Sequence, residues 1–373
     1  IQAMALGFVA ASQKSGLKLF QGSYPITPAS DLLHELSKLK NFGVVTFQAE
    51  DEIAAIGSAI GAAFAGSLAL TSTSGPGMAL KGEFLALATM VELPLVVVDV
   101  QRAGPSTGMP TKTEQSDLLP AIFGRFGESP CVVLAADTPS DGFEVAYEAC
   151  RLAVRHMTPV IVLSDGFIAS GAEPWKLPRL EELPEIRVKQ SHEPEGFQPY
   201  SRDPETLARP WALPGSPGLE HRVGGLEKAE GSGDVSYNAV NHQHMVELRA
   251  EKVRRVARDV PLAEVDGPDE GKLLVLGWGS TRGAITAAVA RARESGREVG
   301  QLHLRYLNPL PVNLGEILGR FRNVLLPEIN TGHLALLLQG RYLKPIIALN
   351  KVKGVPFTSG EILGRIVEIL EAD

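Results

Sequence analysis

Three polar residues sit at positions where α/β proteins do chemistry: Thr27, Glu52 and Arg102, each a few residues beyond a short apolar run that reads as a strand. Turns past the carboxyl ends of parallel strands are where such sheets bind ligands. Thr27 lies in Gly22-Ser-Tyr-Pro-Ile-Thr-Pro-Ala-Ser-Asp31. Tyr24 and Thr27 each precede a proline, which pushes them into extended geometry. Pro28 suits the first helical position and Thr27 the cap before it, so the spacing predicts a stiff entry and a helix from Ala29 to about Lys40. A helix start with a hydroxyl beside it is an anion site; the alternative is that Thr27 only caps. Glu52 follows Glu50 and Asp51 at the start of another helix, where negative charge suits the dipole. In that helix Gly57, Gly61 and Ala65 recur every fourth residue, a nearly bare face that predicts close packing. A carboxylate buried there against an apolar ligand has its pKa raised by desolvation and can share a proton with a heterocyclic nitrogen. The alternative is a solvated acid. Arg102 ends the apolar run from Leu95 to Val100, and its fork fits a carboxylate in two-point contact. The alternative is a surface ion pair.

Alternating patterns must position these residues. Helices are expected over Met4–Gln13, Glu52–Ala65, Met78–Met90 and Pro139–His156. Strands are expected over Leu17–Gln21, Val44–Gln48, Leu68–Ser72, Leu95–Val100, Cys131–Ala135 and Val160–Leu163. Thr73-Ser-Gly-Pro-Gly77 and Ala103–Ser116 read as loops. Strands alternating with helices indicate a doubly wound parallel sheet over residues 1–170. Residues 171–270 are expected to form an irregular connector, too long for a loop inside one compact domain, closed by a charged helix at about Ala239–Arg258. Alternation resumes over 271–373, which predicts a second, smaller α/β domain.

Composition narrows the function classes. The chain has 373 residues, 44% hydrophobic and 21% charged, with a net charge of −7. That balance is globular and argues against a dedicated nucleic-acid binder. Two cysteines, Cys131 and Cys150, are too few for a four-thiolate iron–sulfur cluster and read as reduced core residues of a cytoplasmic protein. The uncharged 18-residue run Ile53–Leu70 is rich in Ala, Gly and Ser and reads as a buried helix and strand rather than a membrane span. Gly277-Trp-Gly-Ser-Thr-Arg-Gly283 has Arg282 where a dinucleotide fingerprint needs glycine, and Gly75-Pro-Gly77 lacks the rest of a P-loop. His242 and His244 lack a third ligand at metal spacing and read as solvent-facing. The start at Ile1 leads us to expect an upstream portion beyond this sequence.

Four motifs in order carry a resemblance. Tyr24-Pro-Ile-Thr-Pro28, Gln48-Ala-Glu-Asp-Glu-Ile-Ala54, Thr71-Ser-Thr-Ser-Gly-Pro-Gly77 and Arg102-Ala-Gly-Pro-Ser-Thr-Gly-Met-Pro-Thr111 resemble the α subunit of 2-oxoacid:ferredoxin oxidoreductases, with the 2-oxoglutarate enzyme nearest in flavour. Weaker similarity continues through Gly277–Ser280, Pro327–Asn330 and Lys353–Phe357. The resemblance implies a thiamine-diphosphate pyrimidine-binding domain, 1–170, and a transketolase C-terminal-like domain, 271–373. It implies oxidative decarboxylation of 2-oxoglutarate to succinyl-CoA, with coenzyme A as co-substrate and ferredoxin as electron acceptor. The alternatives are pyruvate or another 2-oxoacid, a non-catalytic subunit of such a complex, or a thiamine enzyme without ferredoxin. Glu52, nine residues before Gly61, matches the glutamate that bonds the aminopyrimidine ring. Tyr24, Pro25, Ile26, Thr27, Ser74 and Gly75 match the cofactor-binding motifs. Thr27 and Arg102 match residues that hold the substrate's carboxylate and oxo group, with Ser106 and Thr107 beside them. Lys112 or Arg125 is the candidate for a second cation to meet a dicarboxylate. The Gly-Asp-Gly motif for magnesium and diphosphate is absent: Asp141, Asp165 and Asp266 precede glycine but do not follow one. A β subunit is therefore expected to bring magnesium, the diphosphate site and the iron–sulfur cluster, in an (αβ)2 heterotetramer.

Overall fold

In the computed structural model, which describes residues 1–372, the first part of the chain runs α1 (Gln2–Ser15), β1 (Leu19–Ser23), α2 (Ser30–Ser37), β2 (Val45–Gln48), α3 (Glu52–Phe64), β3 (Leu68–Thr73), α4 (Gly75–Leu80), α5 (Gly82–Val91), β4 (Leu95–Gln101), α6 (Leu118–Phe123), β5 (Val132–Ala135), α7 (Asp141–His156), β6 (Pro159–Asp165) and α8 (Gly166–Ser170). After α9 (Ala239–Arg255) it continues β7 (Gly271–Trp278), α10 (Arg282–Glu294), β8 (Gly300–Leu304), β9 (Tyr306–Asn308), α11 (Leu314–Arg320), β10 (Phe321–Glu328), α12 (His333–Tyr342), β11 (Ile347–Asn350) and α13 (Ser359–Ala372).

Two sheets result. The first has strand order β2-β1-β3-β4-β6-β5-β9 and the second β11-β10-β7-β8. Strands β1 to β6 are parallel, as are those of the second sheet. Burial on both faces explains the apolar stretches Leu95–Val98 of β4 and Pro159–Leu163 of β6. One strand departs from expectation. Tyr306–Asn308 lies past β8 in sequence, yet it pairs antiparallel with β5 in the first sheet, Tyr306 opposite Leu134. An antiparallel edge on a parallel sheet is a common way to finish one, and here it ties residues beyond 271 to the first sheet.

Glycine sets two close approaches of a helix to its neighbour. A Cβ on Gly7 would overlap the carbonyl of Phe143, so α1 lies directly on α7. A Cβ on Gly22 would overlap Ser58 Oγ and the Ala55 carbonyl, so β1 lies directly under α3. The close contact on α3 is therefore on the Ala55–Ser58–Ala59 face. The expected packing against the Gly57–Gly61 face is met only in part: the Phe84 ring of α5 would stand 3.2 Å from a Cβ on Gly57, whereas Gly61 is exposed with open space where its Cβ would be.

Between α8 and α9 the chain has almost no regular structure beyond a short turn at Leu180–Glu182 and isolated bridges such as Tyr200 with Gly231. It is not loose. Trp211 is buried and donates to the Ala63 carbonyl at 3.2 Å. Arg209 donates to the Val91 and Glu92 carbonyls. The Glu92 carboxylate takes both Arg202 nitrogens at 2.6 Å and pairs with Lys252 of α9. His242 and His244 pair with Glu227 and Glu230. Among the described residues no helix is long and apolar enough to cross a membrane.

Candidate functional site

The carboxyl ends of β1, β3 and β4 are unusually polar for a sheet centre. Ser23, Thr71, Ser72, Thr73 and Asp99 are all buried. Seven strands hold them there, and the first turns of α3 and α4 open above. Asp51 is the true cap of α3, accepting from Ala54 N at 2.8 Å. That frees the neighbouring Glu52 side chain. It is half-buried and lies over Gly77, where a Cβ would come 3.0 Å from Glu52 Cγ and would overlap Tyr24 Oη and Thr73 Oγ1. Glycine at 77 thus leaves the acid and the phenol room. Tyr24 is buried, its hydroxyl 2.9 Å from Thr73 Oγ1, and burial together with the charge of Glu52 pushes the phenol pKa well up.

Lys81 fixes the start of α3 from below. It falls at the break between α4 and α5, is fully buried, and donates from Nζ to the Glu52 carbonyl at 2.8 Å, with its ammonium 4.9 Å from the Tyr24 ring centre. Burial lowers its pKa to about 7, against the pull of Glu52 and Asp51.

Thr27 is not a helix cap. The Thr27–Pro28 peptide is cis, the chain turns over residues 27–29, and α2 begins at Ser30 with Ala29 in the cap position and no side-chain cap. Ser30 closes the turn, its hydroxyl accepting from Ile26 N at 2.8 Å. Thr27 is exposed, and its carbonyl accepts from Arg102 Nη1 at 2.6 Å. Arg102 itself is buried and has no surface ion pair, and its Nε lacks a partner. The turn and the arginine therefore form one unit.

Arg102 lines a cleft of about 720 Å³ together with Gly75, Ser106, Asp117, Asn330 and His333. Gly75-Pro-Gly77 belongs to the first turn of α4 rather than to a loop, because Pro76 suits an N-terminal helical position. Ser74 Oγ is buried beside it with no partner. Ser106 has a positive φ of 56° in a loop that begins with the cis Gly104–Pro105 peptide. The far wall comes from the second sheet. Gln115 donates to the Trp278 carbonyl at 2.8 Å and accepts from Ile329 N at 2.8 Å. The Glu328 carboxylate accepts from Trp278 Nε1, Asn330 Nδ2 and the first amides of α12. This buried lattice presents Asn330 and His333 to the cleft.

The remaining expected residues lie apart from these. Thr107 and Lys112 are exposed and do not line the cleft. Arg125 spends its guanidinium on the carbonyls of Ser129, Ala121 and Ile122 at the end of α6, away from the cleft. Of the two candidates for a second cation, Lys112 alone keeps its ammonium free of such carbonyl contacts, its stem beside Gly354. Sequence reasoning also passed over Lys81, Asp99 and Asp117. The first two left a signal, a lone lysine between apolar turns and a lone aspartate inside the run Leu95–Val100; Asp117, at the end of a polar loop, left none.

The site has the character of a receptor for a ring with polar edges and for an anion beside it. Glu52 supplies a carboxylate at an apolar helix, Ser74 Oγ and Arg102 Nε are buried without partners, and Gly77 keeps space between them. These features fit the aminopyrimidine half of thiamine diphosphate. Among the described residues no cluster of three or more metal-ligating side chains occurs.

Known proteins agree with this geometry. The family model described as pyruvate flavodoxin/ferredoxin oxidoreductase, thiamine diphosphate-binding, matches residues 13–239. The 2-oxoglutarate oxidoreductase subunit KorA of Mycobacterium tuberculosis is 58% identical over 366 residues, covering 98% of this chain and 56% of that protein. The 2-oxoglutarate synthase subunit KorA of Archaeoglobus fulgidus is 33% identical, covering 96% and 94%. The solved 2-oxoglutarate:ferredoxin oxidoreductase of Magnetococcus marinus, with 2-oxoglutarate, coenzyme A and succinyl-CoA bound, superimposes with a TM-score of 0.93 at 35% identity, covering 99% of this chain and 64% of that one. A split-gene transketolase at 11% identity and a TM-score of 0.56 shares the fold. The chain spans about half the length of the Mycobacterium relative.

Proposed function

The chain belongs to the pyruvate flavodoxin/ferredoxin oxidoreductase family, and from that membership we propose that it acts as the α subunit of a 2-oxoglutarate:ferredoxin oxidoreductase, converting 2-oxoglutarate and coenzyme A to succinyl-CoA and CO2. The observation that carries this reading is the pairing of Glu52 at the mouth of α3 with the Thr27–Arg102 unit at the mouth of a cleft. Thiamine diphosphate, when bound, supplies the carbanion-stabilising electron sink that decarboxylation of a 2-oxoacid needs. Glu52 bonds the pyrimidine ring edge and holds a proton there. Tyr24 and Lys81 orient that acid, and Ser74 with Gly75 borders the ring. Arg102 takes the substrate carboxylate with Thr27 and Ser106 alongside. The α4 start and the Asn330–His333 segment flank the substrate on either side of the cleft.

The diphosphate and magnesium half, the iron–sulfur cluster and the ferredoxin contact are assigned to a β subunit in an (αβ)2 assembly, in the cytoplasm. The absence of Gly-Asp-Gly and of cluster cysteines in this chain supports that division. The division of the chain at 170 and 270 also belongs to the proposal, with β9 as the strand that crosses it. The test is turnover with 2-oxoglutarate, coenzyme A and a viologen acceptor by this chain and its co-purified partner. Activity with pyruvate and none with 2-oxoglutarate would overturn the substrate; no thiamine-dependent activity on any 2-oxoacid would overturn the class.

A further inference from the structure

Behind Arg102 lie two carboxyl groups that the reaction as described does not use. Asp99 is on β4, opposite Thr73 of β3, and is fully buried. Both its oxygens lack a hydrogen-bond donor. Asp117, just before α6, is also buried, lines the cleft, and has one oxygen without a partner. Its other oxygen is 3.1 Å from where a Cβ on Gly75 would stand. Asp117 N donates to Gln101 Oε1 at 3.0 Å, and Gln101 lies two residues past Asp99 on the same face of β4, which brings the two carboxyls together. Arg102 is the cation that acts on Asp117, and none acts appreciably on Asp99.

Two adjacent buried carboxylates cannot both stay ionised without a cation between them. A single proton gives an oxygen on each a partner. We propose that Asp99 and Asp117 hold one proton between them and so act as a positioning pair, leaving one negative charge under Arg102 that sets how firmly the cleft takes an anionic substrate. The direction of the shifts agrees: burial and mutual repulsion hold Asp99 well above the ordinary carboxyl range, and burial raises Asp117 to about 6. With one proton, the pair balances Arg102. With none, two negative charges outweigh it, and an incoming carboxylate is repelled. Affinity for the substrate therefore falls as pH rises through loss of that proton. Other titratable groups face the pair or the cleft: Tyr24 toward Asp99, and Glu114 and His333 on the cleft wall.

The inference rests on the proposed 2-oxoacid reaction for its kinetic arm only. In the purified complex, KM for 2-oxoglutarate is measured from pH 6.5 to 9.5, with kcat followed separately. The wild-type KM is expected to rise about tenfold, the size of effect one extra nearby charge has at a partly screened site. Asp99→Asn should flatten that rise, because its amide donates to Asp117 but cannot ionise; Tyr24, Glu114 and His333 are common to both proteins. The independent arm is infrared spectroscopy at neutral pH. A protonated-carboxyl carbonyl band present in wild type and absent from Asp99→Asn, or from Asp117→Asn should the former fail to assemble, supports the pair. An equal KM rise in both proteins, or no such band in wild type, overturns it. If no 2-oxoacid turns over, the functional reading fails and the infrared band still decides the pair.

Discussion

At the scale of single residues, the division of labour between Asp51 and Glu52 matters most. A helix start offers more amide donors than it can satisfy itself, and a lone acid there would be drawn onto them. Asp51 takes that role, so Glu52 is left pointing over Gly77. Glu52→Gln keeps size and position but removes the proton-holding carboxylate. General acid–base groups contribute about 10²- to 10⁴-fold; kcat is expected to fall by that factor, and near-wild-type turnover in a steady-state assay would exclude Glu52 from the chemistry. Arg102→Lys keeps charge but loses the fork and the contact to the Thr27 carbonyl. A charge-assisted bond is worth roughly 1.5–3 kcal/mol, so KM for the 2-oxoacid should rise about 10- to 100-fold with a smaller change in kcat.

At the scale of elements, the site exists because β1 and α3 touch backbone to backbone. Gly22→Ala would drive a methyl into Ser58 and the Ala55 carbonyl one turn past Glu52. Overpacking of this kind costs about 1–3 kcal/mol. Thermal denaturation should register the loss, and calorimetry with thiamine diphosphate should show weaker binding as α3 shifts. The pattern of Gly57, Gly61 and Ala65 was legible as a close-packing stripe, and Gly57 does meet the Phe84 ring, but the tightest contact on α3 is on the Ala55–Ser58 face, because spacing reports small residues and not which side of the helix meets a neighbour. Most strands were legible for a sounder reason: runs buried on both faces are largely apolar, with polar residues gathered at their carboxyl ends. The turn at Thr27 was misread because a cis peptide before Pro28 has no sequence signature, and a proline after threonine suits a helix start equally well. Thr27, Glu52 and Arg102 stood out by their place beyond strand ends, and motif order then tied them to one resemblance. Lys81 and Asp99 were missed because each is a lone polar residue among apolar neighbours, which periodicity treats as noise, and Asp117 because it ends a polar loop where one more acid does not stand out.

At the scale of the whole molecule, the irregular connector reads from composition as a loose wrap, yet its hold is a buried ion cluster invisible to pattern. Glu92 closes α5 with φ 53° and is buried against Arg202 from the connector and Lys252 from α9. Three distant segments thus meet at one carboxylate beneath the first sheet. The two cations hold its pKa well below the ordinary range despite full burial. A carboxyl whose folded pKa is depressed lends stability above its unfolded value, ordinarily near 4.5. That stability is lost as pH falls below that value toward the folded one. Unfolding followed by circular dichroism should therefore show a steep loss of stability below about pH 4.5. In Glu92→Gln the acid-dependent slope should shrink, and overall stability at pH 7 should drop by about 3–5 kcal/mol, since Arg202 and Lys252 are left buried without a counter-charge. A variant as stable as wild type at pH 7 would mean that the connector is held by Trp211 and Tyr200 packing alone. If the cluster is the anchor, proteolysis of Glu92→Gln should cut first between residues 171 and 238, ahead of either sheet, because the connector's backbone has few ladder bonds of its own to protect it.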